Sequence, residues 1–310
     1  MSLTTLFSLG QTALELALLN SLTVLALFLS YTMLNVCDLS TDGCYALGAA
    51  VGAVVALAGH PWLSIPAAMA AGVTSGFVTA LLQTRMGVNS LLAGIIVNTG
   101  LYSVNIWIMG GSSLLNMNKT ETVFSMLKGA LRSTPIEGAQ ALIIGLIAVA
   151  AVILFLTAFL RTRLGLAIRA TGDNPVMVRS SSINPAFTTT VGLCISNSFT
   201  ALSGCLLAQS QKSTTVDIGS GMVTVALASL LIGNVFLGRR SVPVRAVGAV
   251  LGAFIFRLVY TIALRFNLPA FMLKLISSII VVIAISGPYL KRQFPTLRRQ
   301  LAVRFGRVGD

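Results

Sequence analysis

The residues best suited to chemistry interrupt a long apolar stretch near the N-terminus. Asp38, Ser40 and Asp42 stand within a sequence that is otherwise almost continuously apolar from Leu22 to Leu57. In a membrane, carboxylates are costly, and irregular backbone is tolerated only beside protein or a water-filled cavity. Two interpretations stay open: these residues line a substrate pathway at a broken helix, or a carboxylate caps the next helix in a tight cytoplasmic turn.

Further polar groups occur in other apolar segments. Asn98 and Asn105 are seven residues apart, which places their amides on one face of a helix. Such a face can bind a polar solute, although contact with a neighbouring helix is the more frequent use. Asp217 begins a second polar break, at residues 217–221. The predicted substrate pathway therefore consists of Asp38, Ser40, Asp42, Asn98, Asn105 and Asp217.

The sequence lacks the signatures of an enzyme. No Gly-x-x-x-x-Gly-Lys-Ser/Thr loop for nucleotides occurs, and His60 is the single histidine, so no Ser/His/Asp set can form. The cysteines lack the spacing of a metal or redox site, and we interpret them as small buried residues. They are Cys37, Cys44, Cys194 and Cys205. We therefore expect no catalytic activity, no metal site and no cofactor in this chain.

The elements that position these residues follow from composition. The chain of 310 residues is 55% hydrophobic and 9% charged, whereas soluble globular proteins are about 25% charged. This composition excludes a soluble enzyme and predicts an all-α polytopic membrane protein with broken helices. A spanning helix needs about 20 mainly apolar residues, which gives about nine spans, with eight to ten possible. They lie near residues 13–34, 42–58, 65–84, 88–109, 140–160, 187–208, 221–238, 245–264 and 270–288.

The basic residues predict the orientation in the membrane. The chain has 21 Lys and Arg against 8 Asp and Glu, a net charge of +13. Membrane proteins concentrate basic residues in cytoplasmic loops, so we expect contact with membrane lipid and no nucleic-acid partner. Nine spans place Arg85, the loop 161–186, the segment 239–245 and the tail 289–310 on one side. That side, with the C-terminus, is predicted to be cytoplasmic, and the loop 110–139 external.

The two halves of the chain show an internal repeat. Three landmarks recur in the same order at an offset of 177 to 180 residues. They pair residues 20–23 with 197–200, 38–43 with 217–221, and 85–89 with 265–269. One additional span separates the halves, so the second half is inverted, as in many transporters; the alternative is chance similarity between Leu-, Ala- and Gly-rich segments. Within a single domain of 1–310, the predicted parts are repeat A 13–109, external loop and linker helix 110–160, cytoplasmic segment 161–186, repeat B 187–288 and basic tail 289–310.

The cytoplasmic loop carries the most specific motif. Its sequence from Arg161 to Pro175 contains Gly172 and Asp173, which provide turn and helix-start chemistry before a proline. A short capped helix between two spans would form a rigid contact element. The alternative is a solvated basic loop that only fixes topology.

This loop resembles the coupling segment of ABC importer permeases. The run Gly-Leu-x-x-Arg-Ala-x-Gly-Asp-Asn-Pro at 165–175 is similar to the segment that docks on the ATPase in the branched-chain amino acid and ribose (type II importer) permease superfamily. Further matching stretches lie at 30–33, 38–40, 46–49, 201–204, 207–209, 217–222 and 232–233. The chain is most similar to a poorly assigned branch linked in part to aromatic amino acid uptake. That branch has an acidic residue where this chain has Asn234.

The resemblance implies a membrane subunit of an ATP-driven importer in the bacterial inner membrane. Its substrate would be a small polar solute, with an amino acid favoured. The implied partners are a second permease copy, an ATPase dimer that carries ATP and Mg, and a periplasmic or lipid-anchored binding protein. The coupling residues implied are Gly165, Arg169, Ala170, Gly172, Asp173, Asn174 and Pro175.

Two other classes of function stay open at this point. In an ion-coupled secondary transporter, Asp38, Asp42 or Asp217 would bind a proton or Na⁺, and uptake would need no ATPase. A membrane scaffold without transport would fit the spans but would leave the repeat and the polar breaks unexplained.

Overall fold

The computed structural model describes residues 3–130, 140–237 and 241–264, together with a few isolated positions between 275 and 286. The helices in these ranges are α1 Leu3–Leu27, α2 Thr41–Leu57, α3 Ser64–Thr84, α4 Ser90–Ile108, α5 Val123–Ala130, α6 Gln140–Phe159, α7 Arg163–Asp173, α8 Pro175–Ser180, α9 Pro185–Gln211, α10 Met222–Leu237 and α11 Val242–Leu264. A π-helical turn, Phe28–Met33, continues α1, and a 3-10 turn, Val216–Gly219, precedes α10. The strands are β1 Leu114–Asn116 and β2 Ser213–Thr215.

Long apolar helices dominate the described part of the chain. Seven segments there are long and apolar enough to cross a membrane. They are Gly10–Met33, Ser64–Thr84, Ser90–Ile108, Gln140–Phe159, Pro185–Gln211, Val216–Leu237 and Val242–Ala263, and α2 is apolar but shorter. Together they correspond to the first eight predicted spans, so the prediction of an all-α polytopic membrane protein is confirmed. Apart from those isolated positions, the predicted span 270–288 and the basic tail 289–310 lie outside the described residues, as does the repeat landmark at 265–269.

Three helices form the centre of the molecule. Most residues of α2, of α9 and of α1 from Gly10 onward are buried, whereas α3, α4, α6, α10 and α11 surround them and expose apolar side chains. Small residues permit close approach of the central backbones. A Cβ at Gly48 of α2 would collide with the carbonyl oxygen of Ala201 in α9, and a Cβ at Gly72 of α3 would collide with that of Asn197.

The packing follows the predicted repeat, in which α1, α2 and α3 correspond to α9, α10 and α11. Helix α9 packs on α3 as α1 packs on α11. Likewise, α2 packs on α3 and α9 as α10 packs on α11 and α1. This exchange of partners between the two halves is the pattern expected of an internal repeat.

The short strands connect the two halves at one end of the molecule. β1 follows α4 and pairs antiparallel with β2, which follows α9, with Leu114 opposite Thr215 and Asn116 opposite Ser213. The C-terminal ends of α4 and α9 therefore lie on the same side of the molecule. The topology with nine spans requires this arrangement.

Candidate functional site

The predicted break at residues 38–43 is present in part: the backbone is non-helical from Leu34 to Ser40, around Asp38, whereas Asp42 lies in the first turn of α2. The backbone leaves helical geometry after the π-helical turn, and Asn35 adopts a left-handed conformation with φ of 56°. One Asp38 carboxylate oxygen accepts hydrogen bonds from the Ser40 amide at 2.8 Å and the Ser40 hydroxyl at 2.6 Å. Aspartate commonly stabilises such turns because its side chain competes with helical hydrogen bonds.

Asp38 also connects the break to two other helices. Its second carboxylate oxygen accepts a hydrogen bond from the Asn197 side chain of α9 at 2.7 Å. Thr79 of α3 donates to the Ser40 hydroxyl at 3.2 Å. The Asp38 side chain is only 1% exposed, and three donors satisfy its oxygens, which is how a buried carboxylate is stabilised without a cation. Asp38 and Ser40 are therefore packed residues, and their role in a pathway stays a prediction.

Asp42 joins the two breaks of the repeat to each other. Its carboxylate oxygens accept hydrogen bonds from the backbone amides of Gly221 at 2.9 Å and Val223 at 2.7 Å. Asp42 thus caps the start of α10, whereas Ser40, at the start of α2, makes no side-chain cap. A Cβ at Gly219 would collide with the Asp42 carbonyl oxygen. Capping by a carboxylate was one of the two sequence interpretations, but the capped helix belongs to the other repeat.

The second break lies well before the C-terminal end of α2, which is predicted to be its external end. A Cβ at Gly219 would be 3.3 Å from the Ala46 amide nitrogen, so this glycine lies beside Ala46. From Ala46, α2 continues to Leu57, a rise of about 16 Å at 1.5 Å per residue. The chain therefore re-enters after α9 and runs back along α2 before α10 begins.

Asp217 differs from the other two predicted carboxylates in its exposure. Asp38 is buried and Asp42 half-buried, whereas Asp217 in the 3-10 turn is exposed. Thr224, in the first turn of α10, is exposed as well. Asp217 is therefore the predicted pathway carboxylate that presents its side chain at the protein surface.

The two amides of α4 face α2, as their spacing predicts. Asn105 is buried and donates a hydrogen bond to the Gly43 carbonyl oxygen at 3.2 Å. Asn98 is half-buried, and a Cβ at Gly43 would come within 2.7 Å of its side-chain oxygen. Asn105 thus connects neighbouring helices, while the opposite face of α4 exposes Thr99 and Ser103.

The loop that is predicted to be cytoplasmic folds into two short capped helices, α7 and α8. The Thr162 hydroxyl accepts a hydrogen bond from the Gly165 amide at 3.2 Å and caps α7. The Asn174 side chain accepts hydrogen bonds from the amides of Val176 at 3.0 Å and Met177 at 3.1 Å, and Pro175 occupies the first position of α8. The predicted helix start at Asn-Pro is therefore present.

One face of α7 packs against the first break. A Cβ at Gly172 would collide with the Met33 carbonyl oxygen, and a Cβ at Gly165 would collide with that of Phe159. The hydroxyls of Thr171 and Thr188 share a hydrogen bond at 2.8 Å. Gly165 and Gly172 are thus packing residues, which allow α7 to contact the end of the π-helical turn closely.

The opposite face of α7 and α8 is exposed. Predicted coupling residues on this face are Arg169, Ala170, Asp173, Asn174 and Pro175. Next to them, Val176 is 72% exposed and Met177 is 67% exposed. This exposed surface of α7 and α8, called here the coupling face, therefore combines apolar side chains with charged ones.

A polar cavity lies between the first break and helices α7 and α8, beside the close contact of Gly172 with Met33. Its volume is about 390 Å³. Asn35 of the break, Gln83 at the end of α3, and Thr171, Gly172 and Arg179 of the loop are among its lining residues. The first break and helices α7 and α8 therefore line the same cavity, at the same end of the molecule.

Two functional candidates were missing from the predicted set. Asn197 was predicted only as a repeat landmark, although its side-chain amide donates a hydrogen bond to Asp38.

Arg257 lies within α11, with its guanidinium 5.0 Å from the centre of the Tyr260 ring. Its Nε atom is buried and has no hydrogen-bond partner among the described residues. The signal for Arg257 was visible, because a charged residue inside a predicted span is unusual.

Comparison with known proteins assigns the chain to a family. Residues 11–285 match the family model described as the permease component of branched-chain amino acid transport systems. The chain belongs to this family. It is a multi-pass membrane permease component of a transport system, a class of protein that is not enzymatic.

Two relatives cover most of the chain. A tyrosine transport system permease protein of Clostridioides difficile (strain R20291) is 31% identical over 270 residues, which is 86% of each chain. An uncharacterized protein of Rickettsia prowazekii (strain Madrid E) is 32% identical over 282 residues, 89% of this chain and 96% of the relative. No solved structure matches. The resemblance to permeases linked to aromatic amino acid uptake is therefore confirmed.

Proposed function

We propose that the protein is the membrane-spanning subunit of an ATP-driven importer for an amino acid, with tyrosine or a similar aromatic amino acid favoured. The family and the similarity to a tyrosine transport permease support the transport of an amino acid. In this proposal, ATP and Mg belong to a separate ATPase. A second permease copy completes the pathway, and a periplasmic or lipid-anchored binding protein delivers the substrate. The protein resides in the bacterial inner membrane with a cytoplasmic C-terminus.

The coupling face is the observation that carries the ATP-driven part of the proposal. Val176 and Met177 are large apolar residues on a basic loop that is predicted to be cytoplasmic. Exposed apolar side chains outside the membrane indicate a surface for another protein. Consecutive caps at Thr162, Asn174 and Asn184 make this surface a rigid element. An ATPase subunit is the partner that a permease of this family needs on its cytoplasmic side.

The packing suggests how movement of the ATPase reaches the pathway. α7 contacts the end of the π-helical turn through Gly172 and Met33, so displacement of α7 also displaces the first break. Asp42 connects that break to the start of α10. A displacement of α7 would therefore move both breaks together. Coordinated movement of this kind fits a pathway that opens alternately inward and outward.

The test is ATP-dependent uptake in membrane vesicles that contain the permease with its ATPase and binding protein. We expect tyrosine accumulation only with ATP, and we expect Met177→Asp to lose both uptake and copurification of the ATPase. Met126→Asp is the matched control, because Met126 is also exposed but lies in α5, in the loop predicted to be external. Uptake driven by a proton or Na⁺ gradient without ATP would contradict the proposal and support a secondary transporter.

A further inference from the structure

An apolar groove with a volume of about 580 Å³ lies between α3 and α6. Its floor is α9, which contributes Phe199, Leu202 and Leu206, and every side chain that lines it is apolar or aromatic. Helices α3, α6 and α9 are all long and apolar enough to cross a membrane. This groove, called here the α6 groove, therefore lies in the part of the molecule that the bilayer surrounds.

The α6 groove is elongated along the helix axes. Its lining residues on α6 extend from Ile143 to Phe155, a rise of about 18 Å at 1.5 Å per residue. The hydrocarbon core of a bilayer is about 30 Å thick. The groove therefore extends through slightly more than one leaflet.

The two ends of the groove differ. At the inner end, the rings of Phe155 and Phe199 pack edge to face with centroids 5.7 Å apart. At the other end, where α3 and α6 begin and α9 ends, the lining residues include Trp62 and Leu127 of α5. Trp62 is 60% exposed, and tryptophan is enriched where hydrocarbon meets the lipid headgroups. This end of the groove therefore lies at the membrane surface predicted to be external.

The walls of the groove are fixed by contacts that lie outside it. The Gln209 side chain of α9 accepts a hydrogen bond from the Val123 amide of α5 at 3.0 Å and donates one to the Ser64 hydroxyl of α3 at 2.6 Å. On the other wall, a Cβ at Gly145 of α6 would come within 3.0 Å of the Leu18 Cβ in α1. The groove therefore does not depend on a bound molecule for its shape.

The surroundings of the groove indicate what fills it. On α6, Leu146, Ile147 and Leu154 are each more than 60% exposed, and in a multi-pass membrane protein such a surface faces lipid. Ile147 also lines the groove, so the groove opens onto this surface. Water and polar solutes find no hydrogen-bond partners among these side chains, whereas acyl chains reach them directly from the bilayer.

We propose that the α6 groove binds one acyl chain of a phospholipid from the leaflet predicted to be external, and that Lys128 contacts the headgroup phosphate. An acyl chain is apolar and elongated, and its headgroup holds one end at the membrane surface, as the chemistry, length and open end of the groove require. Lys128 follows Leu127 and is exposed. Lysine can extend along apolar surface with its ammonium group at the interface, where it forms charge-assisted hydrogen bonds with phosphate.

Mass spectrometry of the intact protein released from detergent tests the acyl chain. The probe is phosphatidylglycerol with two oleoyl chains, titrated into protein that has been stripped of lipid. We expect the unmodified protein to bind one molecule tightly, and Ala148→Phe, which fills the groove, to weaken that binding about tenfold. Lost contact with about two methylene groups is sufficient for this effect. Ala151→Phe, about one turn further along α6, should have the same effect, and because Ala151 is exposed this variant should fold even if Ala148→Phe does not.

The matched control is Ala150→Phe. Ala150 is exposed on the same helix but does not line the groove, so its affinity should equal that of the unmodified protein. Added phosphatidylglycerol should raise the unfolding temperature of the unmodified protein and of Ala150→Phe, but not of the two groove variants. Equal affinities in all four proteins, or no phospholipid bound to the unmodified protein, would overturn the inference.

A second pair of variants tests the headgroup. Lys128→Gln should weaken binding of phosphatidylglycerol about threefold. Lys119→Gln is the control, because Lys119 is exposed in the same loop but the residues next to it in sequence do not line the groove. Equal affinities in these two variants would overturn the contact between Lys128 and the phosphate.

A photocrosslinking amino acid at Ile147 identifies the occupant in intact membranes. We expect crosslinked protein whose added mass is that of a phospholipid. Crosslinking to another protein chain would show that a helix covers the groove and would overturn the inference. The inference does not depend on the substrate or on the energy source, so its failure, with ATP-dependent uptake intact in vesicles, would leave the proposed function standing.

Discussion

The two helix breaks occupy equivalent positions in the repeat, but their carboxylates differ in burial and in hydrogen bonding. In the first break, Asp38 is bound by Ser40 and Asn197, and Asp42 is bound by two amides of α10. In the second break, Asp217 is exposed. The first break therefore joins four helices, α2, α3, α9 and α10, whereas the second presents its charge at the surface. Equivalent landmarks in a repeat need not have equivalent roles.

The largest effect on stability should come from Asp38, because its removal leaves buried donors without an acceptor. We expect Asp38→Ala to lower the free energy of unfolding by about 3 kcal/mol. Asp38→Asn keeps one acceptor oxygen and should cost less. Thermal unfolding of the protein purified in detergent measures both. An unfolding temperature unchanged by Asp38→Ala would show that the hydrogen bonds of Asp38 do not stabilise the packing of the first break against α9.

Gly172 tests the connection between the coupling helices and the first break. A methyl group at this position would collide with the backbone of Met33, so Gly172→Ala should destabilise the protein by about 2 kcal/mol. It should also reduce uptake more than ATP hydrolysis. Gly129→Ala is the matched control, because Gly129 is in α5 and nothing lies within 4 Å of an added Cβ. Equal stability of the two variants would contradict the close contact.

Asp42 tests the link between the two breaks. Asp42→Ala removes the cap of α10 and should cost about 1 kcal/mol, whereas Asp42→Asn keeps a capping oxygen and should cost less. Hydrogen exchange at the amides of Gly221 and Val223 should become faster in Asp42→Ala. If exchange there is unchanged while the free energy of unfolding falls, Asp42 stabilises its own helix and not α10.

Asp217 should have the smallest effect on stability of the three carboxylates. Because its side chain is exposed, Asp217→Asn should change the free energy of unfolding by no more than about 0.5 kcal/mol. A large loss of stability with Asp217→Asn would remove the contrast between the breaks, since both carboxylates would then be structural.

The spans and the capped loop could be predicted because their signals are local. An apolar run of sufficient length forms a helix in a membrane wherever it packs, and Asn174 with Pro175 starts a helix by local hydrogen bonding and fixed φ. The breaks were found for the same reason, since polar residues stand out in apolar sequence.

The partners of the polar residues could not be predicted from the sequence. Asp42 meets Gly221 and Asp38 meets Asn197 across long sequence separations, and only the packing of α2, α9 and α10 brings them together. For the same reason, the sequence left open whether a carboxylate caps the next helix or lines a pathway, and it did not indicate that Asp42 caps α10. Arg257 is an exception, because a charged residue within a predicted span is a local signal, yet Arg257 was not among the predicted site residues.

The pairing of β1 with β2 limits how the molecule can open at the end where α4 and α9 terminate, which is the side predicted to be external. The ladder joins backbone atoms and is extended by a hydrogen bond from the Met117 amide to the Lys212 carbonyl oxygen at 2.8 Å. The link therefore does not depend on a hydrogen bond between particular side chains. The β1–β2 ladder connects the C-terminal end of α4 in one half of the chain to the C-terminal end of α9 in the other half. We therefore expect these two helix ends to move together. We expect any opening on this side to widen by movement of the remaining helices while these two helix ends stay together.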